Sequence, residues 1–407
     1  MDDVTTGHGA GHASHGSAGE VFTAFLKLGL TSFGGPIAHL GYFRDELVLR
    51  RRWIDEKGYA DLVALSQFLP GPASSQVGFA LGLLRGGPLG ALGAWTAFTL
   101  PSAILLVLFA YGAAAFGGPI GSGIISGLKI VAVAVVAQAV WGMARNLCPD
   151  RQRATIALGA VLIVLLVAGS FGQVVAIAGG ALAGLLVCRT GHAAITSHID
   201  FPVSRTFGVI SLTLFVALLF ALPLVTAATS WQGLAVFDAF YRAGSLVFGG
   251  GHVVLPLLET EVVGRGWVSH DQFLAGYGAA QAVPGPLFTF AAYLGAVLGP
   301  EPHGLIGAGI ALVAVFLPGF LILIGVIPFW DSFRKGESAQ ALMRGANAAV
   351  VGILGAALYD PVFTSAIVGA RPFALALTCF VLLMAWKAPP WVVVIVGAAG
   401  GVLIGLA

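Results

Sequence analysis

The sequence predicts an all-α polytopic membrane protein: two inverted-topology repeats with interrupted or re-entrant helices, joined by one extra transmembrane helix. Three observations lead there. Of the 407 residues, 58% are hydrophobic and only 9% charged, with a mean hydropathy of +0.94, so most of the chain cannot face water. Motifs of the first half return in the same order in the second, and the apolar segments are interrupted by Gly and Pro at matching points.

Residues 1–20, "MDDVTTGHGAGHASHGSAGE", have neither the basic start nor the apolar core of a signal peptide and read as a disordered aqueous tail. His8, His12 and His15 could share a weak metal site, but the glycines around them offer no preformed geometry, and neither metal nor cofactor is expected. Residues 21–188 form the first repeat, 189–230 a polar linker and a connecting crossing, and 231–407 the second repeat. Segments such as 154–170, 173–188, 207–226 and 391–407 are apolar enough and long enough to cross a ~30 Å hydrocarbon layer, which makes the lipid bilayer the first partner. Cys148, Cys188 and Cys379 show no C-x-x-C spacing and read as free thiols.

The duplication is read residue by residue. "FLKLGLTSFGGPIAHLGYF" from Phe25 lies over "FYRAGSLVFGGGHVVLPLL" from Phe240, which pairs Lys27 with Arg242, Gly29 with Gly244, and Phe33-Gly34-Gly35 with Phe248-Gly249-Gly250. With one residue of slippage Trp53 meets Trp267, Gln67 meets Gln281 and Pro70-Gly71-Pro72 meets Pro284-Gly285-Pro286. Leu100-Pro101 then falls on Leu317-Pro318, and Gly127 on Gly345. A single odd crossing at 207–226 would turn the second repeat upside down.

Basic residues test that parity, because short cytoplasmic loops collect them. If each half opens with two interrupted segments around FGG and PGP and continues with four crossings, a cytoplasmic N-terminus and an external C-terminus follow. Arg44, Arg50, Arg51, Arg52, Lys57, Arg85, Arg145, Arg151, Arg153, Arg189, Arg205, Arg334, Lys335, Arg344 and Lys387 then all lie inside, leaving Arg265 and Arg371 outside. If every segment crossed, Arg85, the cluster from Arg145 to Arg153 and the linker would fall outside.

Backbone groups freed by a break cost several kcal/mol each in hydrocarbon unless they are buried in protein or line a wet cavity. Breaks also expose helix N-termini, which favour anions, and paired broken helices form the binding sites of secondary transporters. Ser74, Ser75, Gln76 and Gln67 beside the first break, with Gln281 and Thr289 beside the second, are hydrogen-bond donors. Lys27 and Arg242 stand inside apolar segments as candidate anion ligands, with snorkelling to the interface as the alternative, and Lys129 ranks behind them. His39, His252, Glu46, Glu259 and Glu261 are candidates for proton coupling, and His252 also for the substrate site. A solvated loop beside basic residues is the alternative for the carboxylates. The chain carries no G-x-x-x-x-G-K-[ST], no H-E-x-x-H and no nucleophile elbow, so ATP hydrolysis, intramembrane catalysis and nucleic-acid binding are not expected.

The F-G-G-[PG] and P-G-P motifs, recurring in two homologous halves from Val21 onward, resemble the bacterial chromate ion transporters in their long, two-domain form. The resemblance implies a plasma-membrane carrier that exports chromate from the cytoplasm, with sulfate as the similar tetrahedral dianion. It assigns motif roles to Phe33, Gly34, Gly35, Pro36, Pro70, Gly71 and Pro72, and to Phe248, Gly249, Gly250, Pro284, Gly285 and Pro286. Gly251 stands where the first half has Pro36, so the two sides of the site are not equivalent. A sulfate uptake carrier and an anion channel remain the rival readings, and a homodimer is open as an assembly.

Overall fold

The computed structural model describes residues 16–115, 118–167, 169–189 and 201–406, and every regular element among them is helical. The first half runs through α1 (Ala18–Thr31), α2 (Gly35–Phe43) with a π-helical extension (Arg44–Arg50), α3 (Glu56–Phe68) and α4 (Ala73–Ala115). It closes with α5 (Gly118–Leu147), α6 (Arg151–Leu166) and α7 (Ser170–Val187). After the connecting helix α8 (Arg205–Thr229), the second half begins with α9 (Gln232–Ser245), then a 3-10 turn (Gly251–Val253) leading into α10 (Val254–Val262) and α11 (His270–Ala280). A further 3-10 turn (Leu287–Thr289) leads into α12 (Phe290–Ala296) and α13 (Gly304–Val326). The chain ends with α14 (Trp330–Lys335), α15 (Glu337–Ala357), α16 (Thr364–Ala366), α17 (Ala370–Met384) and α18 (Pro390–Leu406).

Caps explain where helices begin. Ser17, Asp55, Asp150, Ser204 and Ser269 each accept the N–H three residues on, satisfying one orphan donor of the first turn. Ser17 starts α1 inside the segment expected to be a disordered tail, so helix begins at Ala18 rather than after residue 20; the histidines at 8, 12 and 15 lie outside the described residues. Within α4, Gly86 and Gly87 leave helical geometry ahead of Pro88, and Gly87 has φ +63. That break divides α4 into arms 73–85 and 88–115, as the stretch 297–303 separates α12 from α13.

Helix length separates two kinds of element. α1, α3, α9 and α11 have 14, 13, 14 and 11 residues. At ~1.5 Å per residue these reach about 16–21 Å, short of a ~30 Å hydrocarbon layer. Among the described residues five helices, within Ala73–Gly112, Gly118–Leu147, Arg205–Thr229, Gly304–Phe329 and Glu337–Ala366, are long and apolar enough to cross. α8 buries little of itself and meets the rest through α13 and α9, where Gly208 lies on the Gly325 carbonyl and Tyr241 donates to the Phe215 carbonyl at 3.0 Å.

The halves are interlocked by exchange of their last helices. α5 of the first half packs on α17 and α18 of the second, and α15 of the second packs on α6 and α7 of the first. Small residues permit both contacts: Gly127 meets the Gly397 carbonyl and Gly345 meets the Gly180 carbonyl, so backbones touch where a Cβ would collide. The same pairing recurs inside each half, with Gly29 of α1 against the Ala97 and Phe98 carbonyls of α4, and Gly244 of α9 against the Val315 carbonyl of α13.

Gly127→Val and Gly345→Val are each expected to lower thermal stability in detergent by about 1–3 kcal/mol or more. Gly142→Val is expected to leave it unchanged, because a Cβ at Gly142 meets only open space. Equal unfolding midpoints for the three variants would count against the exchange.

Candidate functional site

The two kinds of break meet across the halves. α1 ends at Ser32 in extended backbone, and the chain turns through Gly34 (φ +99) and Gly35 (φ +79) into α2 with Pro36 in its first turn. The second half turns through Gly249 (φ +74) and Gly250 (φ +149), and the PGP turns use Gly71 (φ +118) and Gly285 (φ +96). Only glycine adopts such φ values without strain. These turns release backbone groups from their helices, and the released groups find each other. The Gly71 N–H donates to the Val247 carbonyl at 2.7 Å, and the Gly285 N–H donates to the Ser32 carbonyl at 2.8 Å. Ser32 and Val247 are the residues immediately before the two FGG motifs, so each PGP is clamped to the other half's FGG.

Each clamp rests on a proline-bearing long helix of the opposite half. Gly71 sits so close to α13 that a Cβ would lie 2.9 Å from the Gly319 Cα, next to Pro318. Gln76 seals the contact, its Nε2 donating to the Pro70 and Gly319 carbonyls, both at 2.9 Å. Gly285 sits on α4 beside Pro101, where a Cβ would lie 2.9 Å from Ser102 Oγ and 3.1 Å from the Phe98 carbonyl. Pro36 and Gly251 close the middle, a Cβ at Gly251 falling 3.2 Å from Pro36 Cγ. Gly249 faces Met143 and Leu147 of α5 and Asn347 of α15.

The remaining candidates sort around this core. His39, Ser74 and Ser75 are buried, with His39 Nδ1 3.3 Å from Ser74 Oγ and the imidazole edge-on to Phe98 at 5.3 Å. Thr289 is buried and donates to the Pro286 carbonyl at 2.8 Å. Gln281 is half-buried beside the Tyr277 hydroxyl, whereas Gln67 is exposed. Pro72, Pro284 and Pro286 are buried, and Phe33, Phe248 and Pro70 half-buried. His252 Nδ1 lies 2.7 Å from the Tyr277 hydroxyl, and Glu259 lies 3.2 Å from His270.

Lys27 and Arg242 are not presented to the breaks as unpaired cations. Lys27 bonds Glu46 at 3.1 Å, and Glu46 also pairs with Arg50 and with Arg51. Arg242 bonds Glu261 at 3.1 Å and Asp238 at 2.9 Å, and Arg265 adds a fourth side chain at 2.8 Å from Glu261. The spacing repeats: cation and carboxylate are 19 residues apart in both halves. Trp53 lies under Arg51 and Arg85, and Trp267 under Arg265. Lys129 pairs with Asp271 at 2.6 Å across α5 and α11. Sequence reasoning missed Asp238, whose signal was its place four residues before Arg242, and it missed Asp61, which accepts from the Trp330 indole at 3.2 Å. Among the described residues no group of three or more His, Cys, Asp or Glu is placed to hold a metal ion.

Long apolar helices, short broken ones and breaks that pair between repeats define a multi-pass membrane protein of transporter architecture. Residues 19–185 and 234–402 each match the chromate transporter family, so the chain belongs to that family and carries its unit twice. It is 32% identical over 395 residues to the chromate transport protein of Pseudomonas aeruginosa, covering 94% of this chain and 90% of the relative. It is 29% identical over 360 residues to a probable chromate transport protein of Synechococcus elongatus, covering 82% of each. It is 26% identical over 390 residues to the chromate transport protein of Cupriavidus metallidurans, covering 94% of this chain and 91% of the relative. No solved structure matches the chain.

Arg242→Gln removes the cation from Asp238, whose side chain is 3% exposed, and is expected to cost about 3–5 kcal/mol of stability. Lys27→Gln acts on a side chain that is 54% exposed and is expected to cost no more than about 1 kcal/mol. Thermal unfolding in detergent separates the two, and equal losses would contradict the assignment of Arg242 to a buried ion cluster.

Proposed function

We propose that this protein is a secondary transporter that exports chromate from the cytoplasm across the plasma membrane, with the N-terminus cytoplasmic and the C-terminus external. The observation that carries the reading is the reciprocal clamping of the PGP and FGG breaks, in a chain whose two halves each match the chromate transporter family. Clamped breaks put discontinuous helices of both halves against each other at the repeat interface, where secondary transporters place their binding sites. The exchange of α6 and α7 for α17 and α18 supports a two-fold-related pair, and the single connecting helix α8 makes that pair inverted in this reading.

Electrostatics favours export. A dianion leaving a negative interior gains roughly 4.6 kcal/mol per 100 mV. Uptake of the same ion gains from the potential only if it enters with a net positive charge, which takes about three protons per dianion by charge balance. Glu46 and Glu261 are poor candidates for that traffic, because each is clasped by two or more cations. His39 and Glu259 remain the proton-carrying candidates, one beside Ser74 and the other beside His270.

Everted membrane vesicles holding the protein are expected to accumulate radiolabelled chromate when energised, with sulfate competing and preloaded anion driving counter-flow. Accumulation only in right-side-out vesicles would replace export with uptake. Flux without counter-flow would replace the carrier with a channel.

A further inference from the structure

Four hydrogen-bond donors near the clamps are buried without an acceptor: Ser32 Oγ, Ser75 Oγ, Trp95 Nε1 and Thr99 Oγ1. Ser32 is 0% exposed, Ser75 3% and Thr99 1%. Three of them line the seam where α4 meets α13. The Trp95 ring packs on Phe316 and Phe320 of α13, at 5.8 and 6.0 Å, and Thr99 stands one turn further along the same face of α4. Ser75 stands one turn before Phe79, which stacks on Phe320 at 4.4 Å. Ser32 enters the same region through its carbonyl, which accepts from Gly285 where Gly285 lies against Phe98 and Ser102.

Native interiors pair nearly all their buried polar atoms, so a group of orphans marks a missing partner. Its chemistry follows from what is orphaned. Two further orphaned atoms stand beside the four donors: Gln76 Oε1, because the Gln76 Nε2 is already bonded to two carbonyls, and His39 Nε2 of the imidazole packed on Phe98. The three hydroxyls and the indole can all donate, and Trp95 Nε1 can do nothing else. A fully deprotonated tetrahedral oxyanion brings lone pairs only. The second repeat has no equivalent set: Val247, Leu312 and Phe316 occupy the positions of Ser32, Trp95 and Thr99, and the Thr289 hydroxyl, which matches Ser75, is bonded to the Pro286 carbonyl.

Resting on the transport reading above, we propose that the oxyanion is bound one-sidedly by neutral donors of the first repeat, Ser32, Ser75, Trp95 and Thr99, against an apolar wall of Phe316 and Phe320 from the second. Lys27 and Arg242 take no part, since carboxylates hold both. A site whose groups are all turned to donate selects by protonation state: sulfate and chromate fit as they are, while phosphate, which keeps a proton at mildly alkaline pH, needs one of the hydroxyls to turn and accept. The donors are closed off in this conformation, so loading parts α4 from α13 and breaks the bond from Gln76 to the Gly319 carbonyl.

Equilibrium binding of radiolabelled chromate to the purified full chain in detergent, at mildly alkaline pH, tests this. Thr99→Val and Ser75→Ala are each expected to weaken binding about tenfold or more, the scale of one lost hydrogen bond to a charged acceptor. Thr99→Ser, which keeps the hydroxyl, is expected to retain most of the affinity, which separates a lost donor from a misfolded seam. Thr96→Val is expected to bind as wild type, because the Thr96 hydroxyl is already bonded to the Leu92 carbonyl at 2.8 Å. Sulfate competes more strongly than phosphate. Wild-type affinity in both Thr99→Val and Ser75→Ala, or competition by phosphate equal to that by sulfate, overturns the site and leaves the transport reading standing. A wild-type protein that binds neither chromate nor sulfate overturns both.

Discussion

A backbone group released inside the hydrocarbon must find its partner within the protein, and here the groups released in one half are partnered by the other. The Gly71 and Gly285 N–H groups, freed by the two PGP turns, close on the Val247 and Ser32 carbonyls at the ends of α9 and α1. Neither half can form its breaks alone, because each lacks the acceptor that makes its own turn affordable. The long helices α4 and α13 provide the floor on which each foreign turn lies, at Pro101 and Pro318. Exchange of the terminal helices then holds the halves at that register through backbone contacts at Gly127 and Gly345.

The charged residues follow the same two-fold plan, while the polar residues depart from it. Lys27 with Glu46 and Arg242 with Glu261 are equivalent ion pairs that brace α1 to the end of α2 and α9 to the end of α10. Uncharged polar side chains are concentrated on one side, with His39, Ser74, Ser75, Gln76 and Thr99 buried in the first half. Phe288, Phe290 and Phe316 hold the places of Ser74, Gln76 and Thr99 in the second. A duplicated scaffold with unequal linings has the symmetry needed for two mirrored conformations and the asymmetry needed for a single polar site.

Much of this was legible in the sequence. Recurrence of FGG, PGP and Leu-Pro in fixed order exposed the duplication, since glycine and proline leave signatures that apolar drift does not erase. The breaks themselves were legible because a Pro-Gly-Pro cannot continue a helix. Which groups the breaks would meet was not. An N–H facing an anion and an N–H facing a carbonyl of the other repeat leave the same trace, and that the Gly71 and Gly285 N–H groups close on Val247 and Ser32 showed only in the structure. The partners of Lys27 and Arg242 were hidden similarly, because their carboxylates lie 19 residues away across a break. The exchange of α7 and α18 was hidden as well, since glycines such as Gly184 and Gly401 suit any close helix partner.

The claim that the FGG breaks of the two halves face each other is tested most directly by a cysteine pair, Pro36→Cys with Gly251→Cys, in a chain whose Cys148, Cys188 and Cys379 are replaced. A Cβ at Gly251 falls 3.2 Å from Pro36 Cγ, so mild oxidation in native membranes is predicted to join the two positions within one chain, reversibly by reductant, with each single cysteine remaining free. A pair that stays reduced, or that links only between separate chains, would contradict the account.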